Sequence, residues 1–256
     1  MNKVIVVTGA SAGIGAATAE LLASKGHSVV LVARRQAKLD EVAGRCGGRG
    51  HVMPGDVTRR EDLRRIVSQA VAALGRIDVL INNAGQGVSR MPSQLTDEDV
   101  DAMMRVNVKS VLYGMQEVLP HFIERGEGHI INISSMLGRL PFATFRSAYC
   151  GAKHFVNALT ATFRDELKQT HPRVCVSLVS PGVVYTEFGN NALHGGPDSR
   201  QLPYGQTAED VAGVIAHVID SREEDVYTRV GAREHVLEYF SEHGSDPGAA
   251  SAGGER

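Results

Sequence analysis

Short, almost uninterrupted apolar runs alternate along this chain with longer stretches in which apolar residues return every three or four positions. The runs fall at 3–8, 28–33, 50–54, 77–81, 129–134, 173–179 and 225–228. They are rich in β-branched residues, and Val29-Val30-Leu31-Val32 has no polar alternate face. A strand reads this way when both of its faces are covered. The intervening stretches carry helix start signals. Thr58-x-x-Glu61 reads as a capping box, and Thr96-x-x-Asp99 and Thr207-x-x-Asp210 as looser versions of it. Gly26, after Leu21-Leu22, predicts a helix C-terminal cap. Strict alternation of strand and helix predicts an α/β fold, a doubly wound and mostly parallel sheet with helices on both faces.

No repeat or Pro-rich linker interrupts the pattern, so one domain is expected over 1–243. Residues 186–206, irregular and rich in Gly, Pro and Asn, are a candidate lid, within which His194 reads as a surface residue. Residues 244–256, small and polar, read as a disordered tail. The chain has 256 residues and is 43% hydrophobic, enough for one sizeable core. Its formal net charge of −2 gives no electrostatic case for nucleic acid or an anionic membrane. The cluster Arg59, Arg60, Arg64 and Arg65 reads as the solvated face of a helix. Cys46, Cys150 and Cys175 have no metal-ligand spacing and leave an odd thiol, which suits a reducing compartment. With no signal-peptide pattern and no apolar stretch long enough to span a bilayer, a cytoplasmic protein without a metal is expected.

The first apolar run leads directly into Thr8-Gly9-Ala10-Ser11-Ala12-Gly13-Ile14-Gly15 and then into a helical segment. Glycines at such a turn let the backbone approach a pyrophosphate, and the helix N-terminus offers free N–H groups and partial positive charge. Tight turns need glycine for steric reasons too, so the spacing alone is weak; its place in the first β-α unit strengthens it. The second run ends Val32-Ala33-Arg34-Arg35, with no acid before Asp40. A carboxylate there would hold the ribose 2′-OH of NAD, whereas arginine accommodates the 2′-phosphate of NADP. NADP(H) is therefore favoured over NAD(H).

Tyr149-x-x-x-Lys153 opens the helical segment 148–170, so the two side chains share a face. Ser134-Ser135 close the fifth run, at the carboxyl edge where α/β ligands bind. Taken singly these are cheap signals, since serine, asparagine and aspartate all serve in ordinary turns. Their order is specific. Thr8 to Gly15, Asp56-Val57, Asn82-Asn83-Ala84-Gly85, Asn107, Ser134-Ser135, Tyr149-x-x-x-Lys153 and Pro181-Gly182 resemble, over nearly the full chain, the single-domain short-chain dehydrogenase/reductases.

The resemblance implies a seven-stranded Rossmann-type sheet and a catalytic tetrad of Asn107, Ser135, Tyr149 and Lys153. It puts Asp56 near adenine, with Val57 following, and Asn83, Ala84 and Gly85 beside the cofactor. Pro181, Gly182, Val184 and Thr186 fall toward the carboxamide. Hydride delivery to a carbonyl leaves an alkoxide that needs a proton, which Tyr149 would give. Lys153, as a fixed cation, together with the oxidised nicotinamide, is expected to lower the tyrosine pKa from its ordinary value near 10. Ser135 would hold the substrate oxygen, and Asn107 would anchor a water for proton exchange with Lys153. Ser135 and Tyr149 are one position further apart than the family pattern, which adds a residue around Pro141 to Arg146 and reshapes a pocket wall.

Met136, Arg139, Tyr185, Phe188 and Tyr204 are expected to line the substrate pocket, with Leu137, Phe142, Leu193 and Leu202 nearby. This mostly apolar set suits a medium-sized carbonyl or alcohol compound. A non-catalytic dinucleotide sensor is the rival reading, but it has no use for a proton relay. A sugar-nucleotide epimerase needs a further substrate domain. Phe155, Leu159, Phe163 and Leu167 form a stripe at i+4 spacing. The resemblance makes helices 97–125 and 148–170 the contact of a homodimer or homotetramer.

Overall fold

The computed structural model describes residues 2–243, so the tail expected at 244–256 lies outside the described residues. Seven parallel strands form one sheet in the order β3-β2-β1-β4-β5-β6-β7. They are β1 (Val4–Thr8), β2 (Ser28–Val32), β3 (Gly50–Val52), β4 (Val79–Asn82), β5 (Gly128–Ile133), β6 (Val174–Ser180) and β7 (Asp225–Tyr227). The helices are α1 (Gly13–Ser24), α2 (Gln36–Arg45), α3 (Arg60–Leu74), α4 (Asp97–Met103), α5 (Ser110–Arg125), α6 (Ser147–Thr170), α7 (Ala208–Ser221) and α8 (Ala232–Glu242).

The lack of a polar strand face has a simple cause. Ile5, Val7, Val29 and Leu31 pack with α1, α2 and α7 residues such as Leu22, Leu39 and Val211. Their neighbours Val4, Val6, Val30 and Val32 pack on the opposite side with Ile66, Met115 and Val156. Each strand thus feeds two cores, and polar residues gather where the strands end. The chain reverses its progress across the sheet between β3 and β4, which puts a crevice outside the carboxyl ends of β1 and β4.

Thr96 and Thr207 form the expected capping boxes with Asp99 and Asp210, and Gly26 follows the α1 cap with φ +92°. Thr58 does not cap. Its N–H and hydroxyl both donate to Asp56 Oδ1, at 2.9 and 2.8 Å, and α3 starts later, at Arg60. A carboxylate two residues upstream is the nearer partner, so an Asx turn replaces the box.

The segment expected as one helix at 97–125 is interrupted by a π turn at Met104–Lys109. The stripe on α6 also divides: Leu167 is buried in the core, whereas Phe155 is 49% exposed. No helix among the described residues is long and apolar enough to cross a membrane.

Residues 186–206 cross the crevice as irregular chain with one 3-10 turn, Ser199–Gln201. They are pinned at both ends. Leu193 pairs with the chain at Val88, its N–H donating to Gly87 O at 2.9 Å. Gln206 N–H donates to Val183 O at 2.9 Å. His194 is not a free surface residue: Nε2 lies 2.6 Å from Asp99 Oδ1 and Nδ1 lies 3.2 Å from Arg90 Nη2. Asp99 also takes Arg90 Nη1 at 2.9 Å, so one carboxylate fastens this segment to α4.

Candidate active site

The carboxyl ends of β1, β2, β4, β5 and β6 open into a cleft of about 1380 Å³. Every cofactor residue expected from the sequence lines it except Gly15. Gly15 lies behind the turn, where a Cβ would come 2.3 Å from Gly9 O. The close approach of α1 to β1 therefore admits only hydrogen. Gly9 itself has φ +67°, and a Cβ there would lie 2.9 Å from Ala84 Cα.

Ala12, at the α1 N-cap, makes no side-chain cap, so the first-turn N–H groups face the cleft without a side-chain acceptor. A pyrophosphate fits this cradle. Arg34 and Arg35 stand exposed at its rim, and Arg35 donates to Ser11 Oγ at 3.2 Å. Asp56 lines the cleft with Oδ1 already occupied by Thr58. Asn83 is held by β1, its Nδ2 donating to Thr8 O at 2.9 Å. Thr8 is a part that the sequence reading passed over. Its hydroxyl accepts from Asn83 N at 3.0 Å and Ala84 N at 3.1 Å and so joins the turn after β4 to β1.

Tyr149 and Lys153 sit one turn apart on α6, 6% and 3% exposed. Tyr149 lines the cleft with Ser135, and its ring packs against Phe188 with centroids 5.4 Å apart. Lys153 Nζ donates to Ile133 O at 2.8 Å, at the end of β5, and lies 5.8 Å from the Tyr149 ring centroid. Burial pushes the Tyr149 phenol up to about 12, against smaller downward pulls from Ser135 and the Arg146 cation. Burial also pulls Lys153 down to about 8. Without the cofactor, desolvation outweighs the nearby charges and holds the phenol up.

Asn107 is fully buried on the π turn between α4 and α5. The widened turn brings its amide to Gln86: Nδ2 donates to Gln86 O at 2.9 Å and Oδ1 accepts from Gln86 N at 3.1 Å. Both ends of its side chain are engaged before any water is placed. A Cβ on Gly85 would lie 2.9 Å from Asn107 Oδ1 and 3.8 Å from Lys153 Nζ, so the three meet. Ser135 caps the short turn Met136–Gly138, its Oγ accepting from Leu137 N at 3.1 Å. Asn157 steadies this turn from α6: Oδ1 accepts from Ser134 Oγ, and Nδ2 donates to Gly138 O at 2.6 Å. Asn157 carries no motif, and only its place two turns after Tyr149 could have marked it.

Met136, Tyr185 and Phe188 line the substrate half as expected, with Leu137, Phe142 and Leu202. Arg139 does not. Its guanidinium pairs with Asp225 and lies over the Tyr227 ring at 5.3 Å, facing β7. Tyr204 is 79% exposed, with φ +59° turning it outward, and does not line the cleft. Leu193 serves the core packed against α5 and α6 instead. Arg146, 7% exposed, lines the cleft too; the sequence reading named it only as the end of the Pro141 to Arg146 stretch of the pocket wall. Among the described residues no group of three or more His, Cys, Asp or Glu side chains could hold a metal ion.

Residues 3–195 match the family model described as short chain dehydrogenase. An uncharacterized oxidoreductase of Staphylococcus saprophyticus is 37% identical over 188 residues, 73% of this chain and 76% of the relative. Among solved structures, a short-chain dehydrogenase from Sphingobium yanoikuyae in complex with NADPH superposes with TM-score 0.80 at 31% identity, covering 94% of this chain and 93% of the other. A short chain dehydrogenase/reductase from Burkholderia phymatum in complex with NAD gives TM-score 0.86 at 25% identity, covering 96% and 97%. With this fold, this order of motifs and these matches, the chain belongs to the short-chain dehydrogenase/reductase family of oxidoreductases.

Proposed function

We propose that this oxidoreductase is an NADP(H)-preferring carbonyl reductase or alcohol dehydrogenase in which Tyr149 moves the proton. The observation that carries the reading is a buried Tyr149, one turn from a buried Lys153, lining with Ser135 the cleft that holds the dinucleotide cradle. The bound dinucleotide supplies a hydride to a carbonyl carbon or accepts one from a carbinol carbon. Ser135 and Tyr149 then hold the substrate oxygen between two hydroxyls. Tyr149 stays protonated through the neutral range, so it serves as the acid that quenches the alkoxide. In the oxidative direction it must first release its proton. That step becomes easier as pH rises and as positive charge gathers beside it. Lys153 is placed to supply such a charge and to reach the nicotinamide ribose, and Asn107 keeps the turn at Gly85-Gln86 against it.

Segment 186–206, pinned at Leu193 and Gln206, serves as the lid over the substrate half. Exposed Phe155 on α6, with Val100 on α4, supports a homodimer or homotetramer through these helices. Light scattering at micromolar concentration should give at least twice the 27.4 kDa chain mass, and a monomer would contradict the assembly.

Removing the transferable proton isolates the chemistry. Tyr149→Phe should lower kcat by at least ~10²-fold while NADPH binding, followed by fluorescence, changes little. Turnover comparable with the parent would refute the role of Tyr149.

Cofactor choice rests on Arg34 and Arg35, because a guanidinium meets a 2′-phosphate with charge-assisted hydrogen bonds. The parent should favour NADPH over NADH by at least about tenfold in kcat/KM, as one such bond at ~1.5–3 kcal/mol implies. Arg34→Asp should collapse this preference mainly through the cofactor KM, with NADH use persisting. A parent that uses NADH as well as NADPH would show the two arginines to be merely solvated.

A further inference from the structure

Arg146 is a buried cation in the cleft to which the proton chemistry gives no binding task. It closes the 135–149 segment, one residue longer than the family pattern, and is fixed there by shape. Its Cζ lies 5.4 Å from the Phe145 ring centroid and 5.8 Å from that of Phe188. A Cβ on Gly87 would come 2.3 Å from Nη1, and one on Gly196 3.0 Å from Nη2. Two glycines thus leave the room that the guanidinium fills.

What it lacks is a counter-charge. The Val88 carbonyl, at 3.4 Å, is the hydrogen-bond acceptor it has among the described residues. The carboxylates of the lid and its anchor pair with other cations: Asp99 with Arg90 and His194, and Asp198 and the cleft-lining Glu187 with Arg200. Burial accordingly pulls its pKa below that of an ordinary arginine, opposed by Tyr149 and Cys150 but by no carboxylate. A buried unpaired charge is costly, and two aromatic faces offset only part of that cost. Ser89 Oγ, also buried and without a partner, lies beside it: the same Cβ on Gly196 would come 2.6 Å from Ser89 Oγ. The guanidinium, with its one long acceptor, and the unpartnered Ser89 hydroxyl therefore stand together under the lid, near Gly189 O. Phe188 touches both Arg146 and Tyr149, which keeps the cation within a short molecule's length of the reacting oxygen.

We propose that Arg146, with Ser89 beside it, receives a carboxylate of the substrate, so that the substrates are hydroxy acids and the corresponding keto acids. The proposal deepens the reading of Tyr149 as the proton carrier and rests on it. A planar guanidinium accepts a carboxylate through two parallel hydrogen bonds, which fixes the distance from the acid group to the carbinol carbon. The balance of the reaction is unchanged: with NADP⁺ as the hydride acceptor, the carbinol carbon gives up a hydride and the hydroxyl proton passes to the Tyr149 phenolate, formed beforehand by loss of its proton, while the carboxylate stays intact.

The test compares 3-hydroxybutanoate, 4-hydroxypentanoate and 5-hydroxyhexanoate with their methyl esters, using NADP⁺ and the full chain. In the parent, at least one acid should exceed its ester by at least about tenfold in kcat/KM. In Arg146→Met that ratio should fall at least about tenfold, chiefly through KM, and Arg146→Lys should restore part of it. A second measurement does not depend on turnover. The melting temperature of the NADP⁺-loaded parent should rise with the preferred acid and not with its ester, and the rise should vanish in Arg146→Met. If the arginine variants fail to bind NADP⁺, the acid-to-ester comparison in the parent alone decides. Turnover of esters as good as that of acids, with no acid-specific rise in melting temperature, would overturn the carboxylate site and leave the oxidoreductase reading standing. An acid-specific, Arg146-dependent rise without turnover of acid or ester would uphold the site and remove the alcohol chemistry instead.

Discussion

Desolvation of Tyr149 and Lys153 is the constraint on which the rest of the site depends. Both side chains are buried on one face of α6, and neither has a carboxylate partner among the described residues. Their ionisation therefore responds to what enters the cleft rather than to a resident ion pair. The phenol held near 12 stays protonated at neutral pH, and the ammonium brought down to about 8 is still mostly charged at neutral pH but loses its charge just above it. A bound dinucleotide and an anionic substrate would both favour the charged lysine.

The fold serves this constraint by keeping polar groups out of the sheet and collecting them at its carboxyl edge. Strands that bury both faces leave only their ends for chemistry. There the backbone is held by side chains: Thr8 joins the ends of β1 and β4, Asn107 clamps Gln86, and Asn157 steadies the turn that carries Ser135. Below them, Asn82 Nδ2 donates to Asn132 Oδ1 at 2.9 Å, and Asn132 Nδ2 donates to Thr160 Oγ1 at 3.0 Å. This buried chain ties β4, β5 and α6 together beneath the tetrad, where a half-satisfied network would be costly.

Much of this is written in the sequence, for reasons that can be named. Seven apolar runs without polar alternation predicted a covered parallel sheet, and all seven strands fall within one or two residues of them. The glycine turn, the two arginines after β2 and the Tyr149–Lys153 spacing were legible because each is local. Interactions made across the chain were not. The π turn that delivers Asn107 leaves the helical period of 97–125 intact to the eye. Arg139 and Arg146 are both arginines near the pocket wall, and sequence alone favoured the wrong one. Asp225, 86 residues from Arg139, draws it toward β7, whereas Gly87 and Gly196 open the space for Arg146. The upward push of burial on Tyr149 was not legible for a similar reason: a neighbouring lysine can be counted from spacing, but the depth of burial cannot.

Ultraviolet difference titration of the cofactor-free protein, parent minus Tyr149→Phe, tests this account most directly, because it reads the phenolate of a single tyrosine. If burial governs the site, Tyr149 ionises near pH 12, later than the ordinary tyrosines. Ionisation at about 10 or below, the value of a solvated phenol, would contradict it.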